Sequence, residues 1–144
     1  MKAMFDTSVL VAASVRAHPM HRRSIPWLKR VRAGEIELHV AAHSLAECYA
    51  VLTAFPIRPR IGPGAAARII SENVENNAKL VALTASEYRT TIRELAKLRL
   101  TGGVVYDALV ARSAAKAGVE RLLTLNPDDF IRAWPEGEEL IATP

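Results

Sequence analysis

The chain has 144 residues, half of them hydrophobic, so it can bury a sizeable core as a single domain over residues 1–144. No apolar run approaches the roughly 20 residues a membrane span needs, the start lacks the basic, apolar and cleavage regions of a signal peptide, and the lone Cys48 leaves no internal disulfide to form. A net charge of +4, an isoelectric point near 9.6 and a mean hydropathy of +0.09 suit a cytoplasmic protein with an anionic partner and a sheet buried on both faces.

In chain order, an apolar strand over 2–5 leads into Asp6-Thr7-Ser8, a helix-capping cluster. A helical stretch runs to about Ala33, with interruptions expected near His18-Pro19 and Ile25-Pro26 and a stop at Gly34. Residues 36–41 alternate as a second strand, and Ser44 is placed to cap a helix running to about Phe55. Pro56, Pro59, Gly62, Pro63 and Gly64 mark a basic loop, followed by a helix over 65–76. A short buried strand is expected over 80–83, then a helix capped by Thr84 or Ser86 and ending near Leu98. Gly102-Gly103 breaks the chain before a helix over 104–117 with Gly118 as its C-cap. Residues 122–125 form a strand, Asn126-Pro127 opens a helical turn, and 139–142 is the last strand. Strands alternating with helices predict an α/β domain with a mainly parallel sheet, whose site lies beyond the carboxyl ends of its strands.

Apolar runs end repeatedly in carboxylates: Met4-Phe5-Asp6, Val104-Val105-Tyr106-Asp107, and Leu123-Thr124-Leu125-Asn126-Pro127-Asp128-Asp129. Glu47 is the only charged residue between Glu37 and Arg58. Each acid has a local explanation. Asp6 can cap a helix, Ser44 and Glu47 fit a capping box, Asp107 favours a helix dipole, and Asn126 to Asp129 match the first positions of a helix. Together they say more. Acids in apolar surroundings need a partner or a cation, and at an effective dielectric near 20 two such charges about 4 Å apart repel by roughly 4 kcal/mol. Converging oxygen ligands suit Mg2+ or Mn2+, which can polarise a phosphodiester and activate water.

The basic residues lie apart from these acids. Arg16, Arg22, Arg23, Lys29, Arg30 and Arg32 fall in a stretch without any acid, whereas Asp128, Asp129, Glu136, Glu138 and Glu139 face a single base, Arg132, at the other end. The N-terminal run is either a solvated helix face or a track for phosphates, and its excess of arginine favours the second. His18 and His21 are read as solvated polar residues. His39 and His43 are not needed by hard-metal chemistry, Trp27 and Trp134 are core or interface residues, and Cys48 is a small core residue.

The chain resembles the PIN-domain ribonucleases, specifically the VapC toxins of bacterial toxin–antitoxin pairs. The resemblance rests on Phe5-Asp6-Thr7-Ser8, Ser44-Leu45-Ala46-Glu47, Gly102-Gly103-Val104-Val105-Tyr106-Asp107-Ala108-Leu109-Val110-Ala111 and Leu123-Thr124-Leu125-Asn126-Pro127-Asp128-Asp129-Phe130. It spans nearly the whole chain, and Tyr106-Asp107-Ala108-Leu109 is its most specific piece. It implies a three-layer α/β/α domain and a Mg2+-dependent endoribonuclease acting on tRNA or rRNA, with Mn2+ as an alternative ion. Asp6 and Asp107 would be the metal ligands, Glu47 would orient water or complete the coordination, and Asp129 would add a fourth acid. Asn126 stands where many PIN nucleases carry Asp, so whether Asn126, Asp128 or Asp129 reaches the metal stays open. Thr7, Ser8 and Thr124 would hold the carboxylates, and Arg22, Arg23, Arg30 and Arg32 would bind RNA phosphates. A VapB-like antitoxin and a homodimer complete the expectation, with the 56–64 loop and the first two helices as walls of the antitoxin groove.

Two other classes compete. A non-catalytic PIN-like binding module would keep the fold without cleaving, and Asp6, Glu47 and Asp107 together argue against it. A phosphoacceptor signalling domain also gathers acids at strand ends, but it needs an early acidic pair and a later lysine. Asp6 has no acidic neighbour, and no lysine follows Thr124.

Overall fold

A computed structural model describes residues 1–144. Five strands, β1 (Lys2–Phe5), β2 (Glu37–Ala41), β3 (Ala78–Val81), β4 (Arg121–Leu123) and β5 (Ile141–Ala142), form one sheet in the order β3-β2-β1-β4-β5. Every neighbouring pair is parallel. The chain builds outward from β1 to β2 and β3, then crosses back to place β4 on the other flank of β1. That reversal makes the gap between the ends of β1 and β4 the topological switch point, where such sheets open a crevice.

Strand periodicity sorts the core into two faces. On one face Ala3 and Phe5 of β1, Leu38 and Val40 of β2 and Leu123 of β4 pack with α1 (Thr7–Ser14), α2 (His21–Arg32), α3 (Ala42–Ala54) and α4 (Pro63–Ile70). On the other face Met4, Ala41 and Leu122 meet α6 (Val104–Ala117) and α7 (Pro127–Ala133), with α5 (Ala85–Lys97) packed outside α6. This is the three-layer α/β/α arrangement. Phe5 and Met4 are fully buried on opposite sides of β1. Each contributes about 1.5–3 kcal/mol by leaving water.

Several local expectations are corrected. Pro26 does not interrupt α2, which runs through it. Pro26 is exposed, so the Arg22 carbonyl left without its N–H partner can turn to water. The interruption expected near His18-Pro19 does form: Val15 ends α1 in an extended conformation and α2 begins at His21. Ser44 caps nothing, because α3 begins at Ala42 directly after β2; its buried hydroxyl has no hydrogen-bond partner. The 80–83 strand is β3 at the sheet edge and is not buried, with Leu80 exposed and Lys79 paired to Glu37 at 3.0 Å. A charged residue on a short edge strand discourages further pairing. The 65–76 helix starts at Pro63 and ends in a π-helical turn, Ser71–Glu75. The last strand is shortened to β5 because a 3-10 turn, Pro135–Leu140, precedes it. Thr84 does cap α5, accepting from the Glu87 N–H at 3.2 Å. Gly118 ends α6 in the left-handed conformation, φ 63° and ψ 45°.

Candidate active site

Asp6 follows the last residue of β1 and stands at the N-cap position of α1, yet its side chain makes no cap hydrogen bond. Its Oδ2 instead accepts from Ser8 Oγ at 2.7 Å and from Thr124 Oγ1 at 3.0 Å. Both hydroxyls are themselves held by the backbone just past β4: Ser8 Oγ accepts the Leu125 N–H and Thr124 Oγ1 accepts the Asn126 N–H, each at 3.0 Å. Two relays therefore tie the carboxylate to the end of β4. No basic group pairs with it. Burial raises its pKa, against the opposing pull of the Ser8 and Thr124 hydrogen bonds, and the Glu47 charge adds to the rise.

Glu47 lies in the second turn of α3, not the first, and its carboxylate reaches the Thr7 hydroxyl, which donates to Oε2 at 3.3 Å. Its Oε1 lies 3.1 Å from His43 Nε2, one helical turn back, but off the line of a hydrogen bond. Both atoms are buried and unpartnered. Asp107 lies in the first turn of α6, half-buried, with no ion pair or hydrogen bond of its own. Its pKa is pushed up to about 7, first by burial, then by the charges of Asp6, Asp129 and Glu47, against a small opposing pull from Arg132. Three acids from three layers thus face one another electrostatically.

A cleft of about 310 Å³ opens between them, lined by Asp6, Thr7, Ser8, Glu47, Asp107 and Asn126, with Val11, His18 and Val51 completing the wall. Of the late acids, Asp128 is exposed and outside this lining, and Asp129 turns to an ion pair with Arg132. Asn126 is the member of that group that borders the cleft. A slightly larger hollow, about 340 Å³, lies between α5, α6 and α7, where Glu94 and Arg112 pair at 3.6 Å. Its lining holds that ion pair and a single further acid, Glu136, rather than a convergence of carboxylates.

The residues fit a hard divalent cation. All donors are oxygen, three carboxylates lack a basic partner in salt-bridge geometry apart from the ill-aligned His43, and Glu47 Oε1 is a buried orphan. No three acidic or imidazole groups form a ready cage. A hard divalent ion held here would take one or two of these carboxylates and complete its shell with water.

Two histidines carry more than the sequence suggested. His18 is not a freely solvated group: it is half-buried at the cleft, stacked on Phe55 with ring centroids 5.6 Å apart. His43 touches Glu47 at the i,i+4 spacing that α3 provides, a spacing visible in the sequence once the helix start is known. Cys48 is the core residue expected, its thiol pushed up to about 12 by burial. Trp27 packs against the first core face and carries Arg30 over its ring at 4.9 Å.

The four arginines expected to bind RNA, Arg22, Arg23, Arg30 and Arg32, sit on α2, and none lines the cleft. Arg22 is exposed; Arg23 donates to the Pro144 carbonyl at 3.0 Å, Arg30 pairs with Glu35 at 3.0 Å, and Arg32 bonds Asn73. Of the groove walls expected, α1 and the turn after it border the cleft, and the 56–64 loop does not. No helix is long and apolar enough to cross a membrane.

The PIN domain profile matches residues 3–133. Ribonuclease VapC27 of Mycobacterium tuberculosis is 37% identical over 115 residues, covering 80% of this chain and 78% of that protein. Ribonuclease VapC40 of the same organism is 38% identical over 117 residues, 81% of each. Among solved structures, VapBC2 from Rickettsia felis, bound to a DNA fragment from its promoter, superposes with a TM-score of 0.65 at 16% identity, covering 100% of this chain and 99% of that one. Mycobacterium tuberculosis VapC20, a toxin that cleaves the sarcin–ricin loop, gives 0.65 at 17% identity over 83% of this chain and 86% of that one. FitAB on a DNA fragment gives 0.68 at 14% identity, over 99% and 94%.

Proposed function

Since the chain belongs to the PIN-domain family, among its VapC ribonucleases, we propose that it is the endoribonuclease toxin of a VapBC-type pair. Its substrate is RNA, tRNA or rRNA, its cofactor Mg2+ or Mn2+, and it works in the cytoplasm. The observation that carries this is the meeting of Asp6, Glu47 and Asp107 in one cleft with no aligned basic partner.

Asp6 and Asp107 would hold the divalent ion. When bound, that ion supplies charge to polarise the phosphodiester and to acidify a water. Asp6 keeps its place through the Ser8 and Thr124 hydroxyls. Those hydrogen bonds favour the ionised carboxylate that a cation needs. Glu47, anchored at one oxygen by Thr7, has Oε1 free to orient an attacking water and accept its proton. Asn126 borders the same cleft as a neutral donor and acceptor for the strand. Asp129 shapes the site through its charge on Asp107. Arg22, Arg23, Arg30 and Arg32 guide RNA by its phosphates from α2.

The partner side of the proposal is a homodimer bound by a VapB-like antitoxin. VapBC2 and FitAB are by name two-component complexes, and this chain leaves Tyr49, Tyr88, Ile92, Leu98 and Tyr106 exposed. An antitoxin segment with a basic side chain over the acids would inhibit by occupancy and by charge. Total RNA incubated with the purified protein, with Mg2+ or chelator and with or without the product of the neighbouring upstream gene, tests the whole reading. Cleavage that persists in chelator would refute the metal role. A monomer that neither binds nor responds to that product would refute the toxin role.

A further inference from the structure

An RNA strand must be held against a cleft that is itself negatively charged, so the hydrogen-bond donors bordering it matter. Two are already committed: the Thr7 hydroxyl donates to Glu47, and that of Ser8 donates to Asp6. Among the lining side chains this leaves the Asn126 amide and the imidazole of His18.

His18 is the more rigid of the two. It sits in the turn between α1 and α2, where its N–H donates to the Val15 carbonyl and its carbonyl accepts the His21 N–H, both at 3.0 Å. Its Nδ1 accepts the Met20 N–H at 3.0 Å. A ring nitrogen that accepts from a backbone N–H carries no proton, so the neutral ring bears its hydrogen on Nε2. Phe55 stacks on one face, 25° from parallel, and limits rotation. His21 ties the following helix to α1 through Nδ1, 2.8 Å from the Ala12 carbonyl. The turn is therefore fixed at both ends. Burial, and the nearby His21, lower the pKa of His18 and keep it uncharged. A lysine or arginine here would pair with the acids and cancel the charge that draws a cation. A neutral N–H does not.

We propose that His18 is a substrate-holding residue, donating from Nε2–H to a phosphate oxygen of the RNA strand lying in the acidic cleft. This rests on the ribonuclease reading above, and it adds a hold from the α1–α2 turn that the carboxylates do not provide.

Three substitutions separate the donor from the scaffold. His18→Gln places an amide N–H near the position of Nε2, His18→Asn keeps an acceptor near Nδ1 but removes the Nε2 donor, and His18→Ala removes both. Binding is read by anisotropy of a labelled mixed-sequence single-stranded RNA in chelator, where nothing turns over. Cleavage of total RNA is read separately in Mg2+. His18→Gln should stay within about threefold of the parent in Kd and KM. His18→Asn and His18→Ala should each weaken Kd and raise KM by about tenfold, with kcat changed far less, the effect of removing one hydrogen bond to a charged group. Melting temperatures report whether the turn survives. Equal binding by all three variants, or a loss in His18→Gln as large as in His18→Asn, overturns the proposal while the parent still cleaves. A parent that neither binds nor cleaves RNA overturns the ribonuclease reading and this proposal with it.

Discussion

Replacing Asp107 by asparagine should make the protein more stable and inactive at once. A carboxyl moved from 3.8 to about 7 resists ionisation by about 4 kcal/mol at 1.36 kcal/mol per pH unit. Asp107 is only half-buried, and solvent screening reduces the recoverable part to about 1–2 kcal/mol. The sign follows from where the proton sits. The folded state holds it more tightly than the unfolded chain, so the charged form costs stability, and that cost grows as pH rises between about 4 and 7 and is complete above 7. Asparagine has the same shape and no charge. Melts of Asp107→Asn in chelator should therefore exceed the parent by about 3–6 °C at pH 8 and match it near pH 4. Added Mg2+ should raise the parent's melting temperature and leave the variant nearly unmoved, and RNA cleavage should fall by at least about a hundredfold. A variant no more stable at pH 8, or equally stabilised at pH 4, would refute repulsion and burial as the source of the shift.

Removing the hydroxyls that hold Asp6 acts in the same currency of protons. Ser8→Ala or Thr124→Val deletes a hydrogen bond favouring the carboxylate, so the acid limb of the pH–rate profile should move to higher pH; an unmoved limb would show that Asp6 ionisation does not govern activity. Neutralising Arg22, Arg23, Arg30 and Arg32 together should weaken RNA binding and flatten its dependence on log salt, by about one in slope for each phosphate left without its arginine; an unchanged slope would assign α2 to a partner protein. Gly137→Ala places a methyl 2.2 Å from the Trp134 ring and should cost about 1–3 kcal/mol in denaturant melts, leaving the metal-dependent shift of the melting curve intact.

Much of the acid cluster was legible because strand and helix signals carried it. β1 runs directly into Asp6, α6 begins just before Asp107, and parallel topology brings such ends together. What escaped depended on packing between distant segments or on where a helix starts. Ser44 read as a cap only because α3 was expected to begin after it; with the helix starting three residues earlier, the same serine is buried in the first turn and Glu47 is released to the cleft. His18 read as solvent-facing because its partner, Phe55, belongs to the end of α3. Pro26 read as a break, but one face of α2 is open to water and tolerates the missing bond. Asp129 matched the acid before a phenylalanine, and the local Arg132 one turn on claims it.

The three central carboxylates come from different layers: Asp6 from the sheet, Glu47 from a helix on one face and Asp107 from a helix on the other. Anything that engages all three is a clasp through the thickness of the domain, joining two helical coats that lie on opposite faces of the sheet. Its loss would loosen both coats together, and amide exchange in α3 and α6 would rise and fall as one, although the two helices rest on separate cores. The site would then also be a seam, whose occupancy would set how independently the two halves of the molecule breathe.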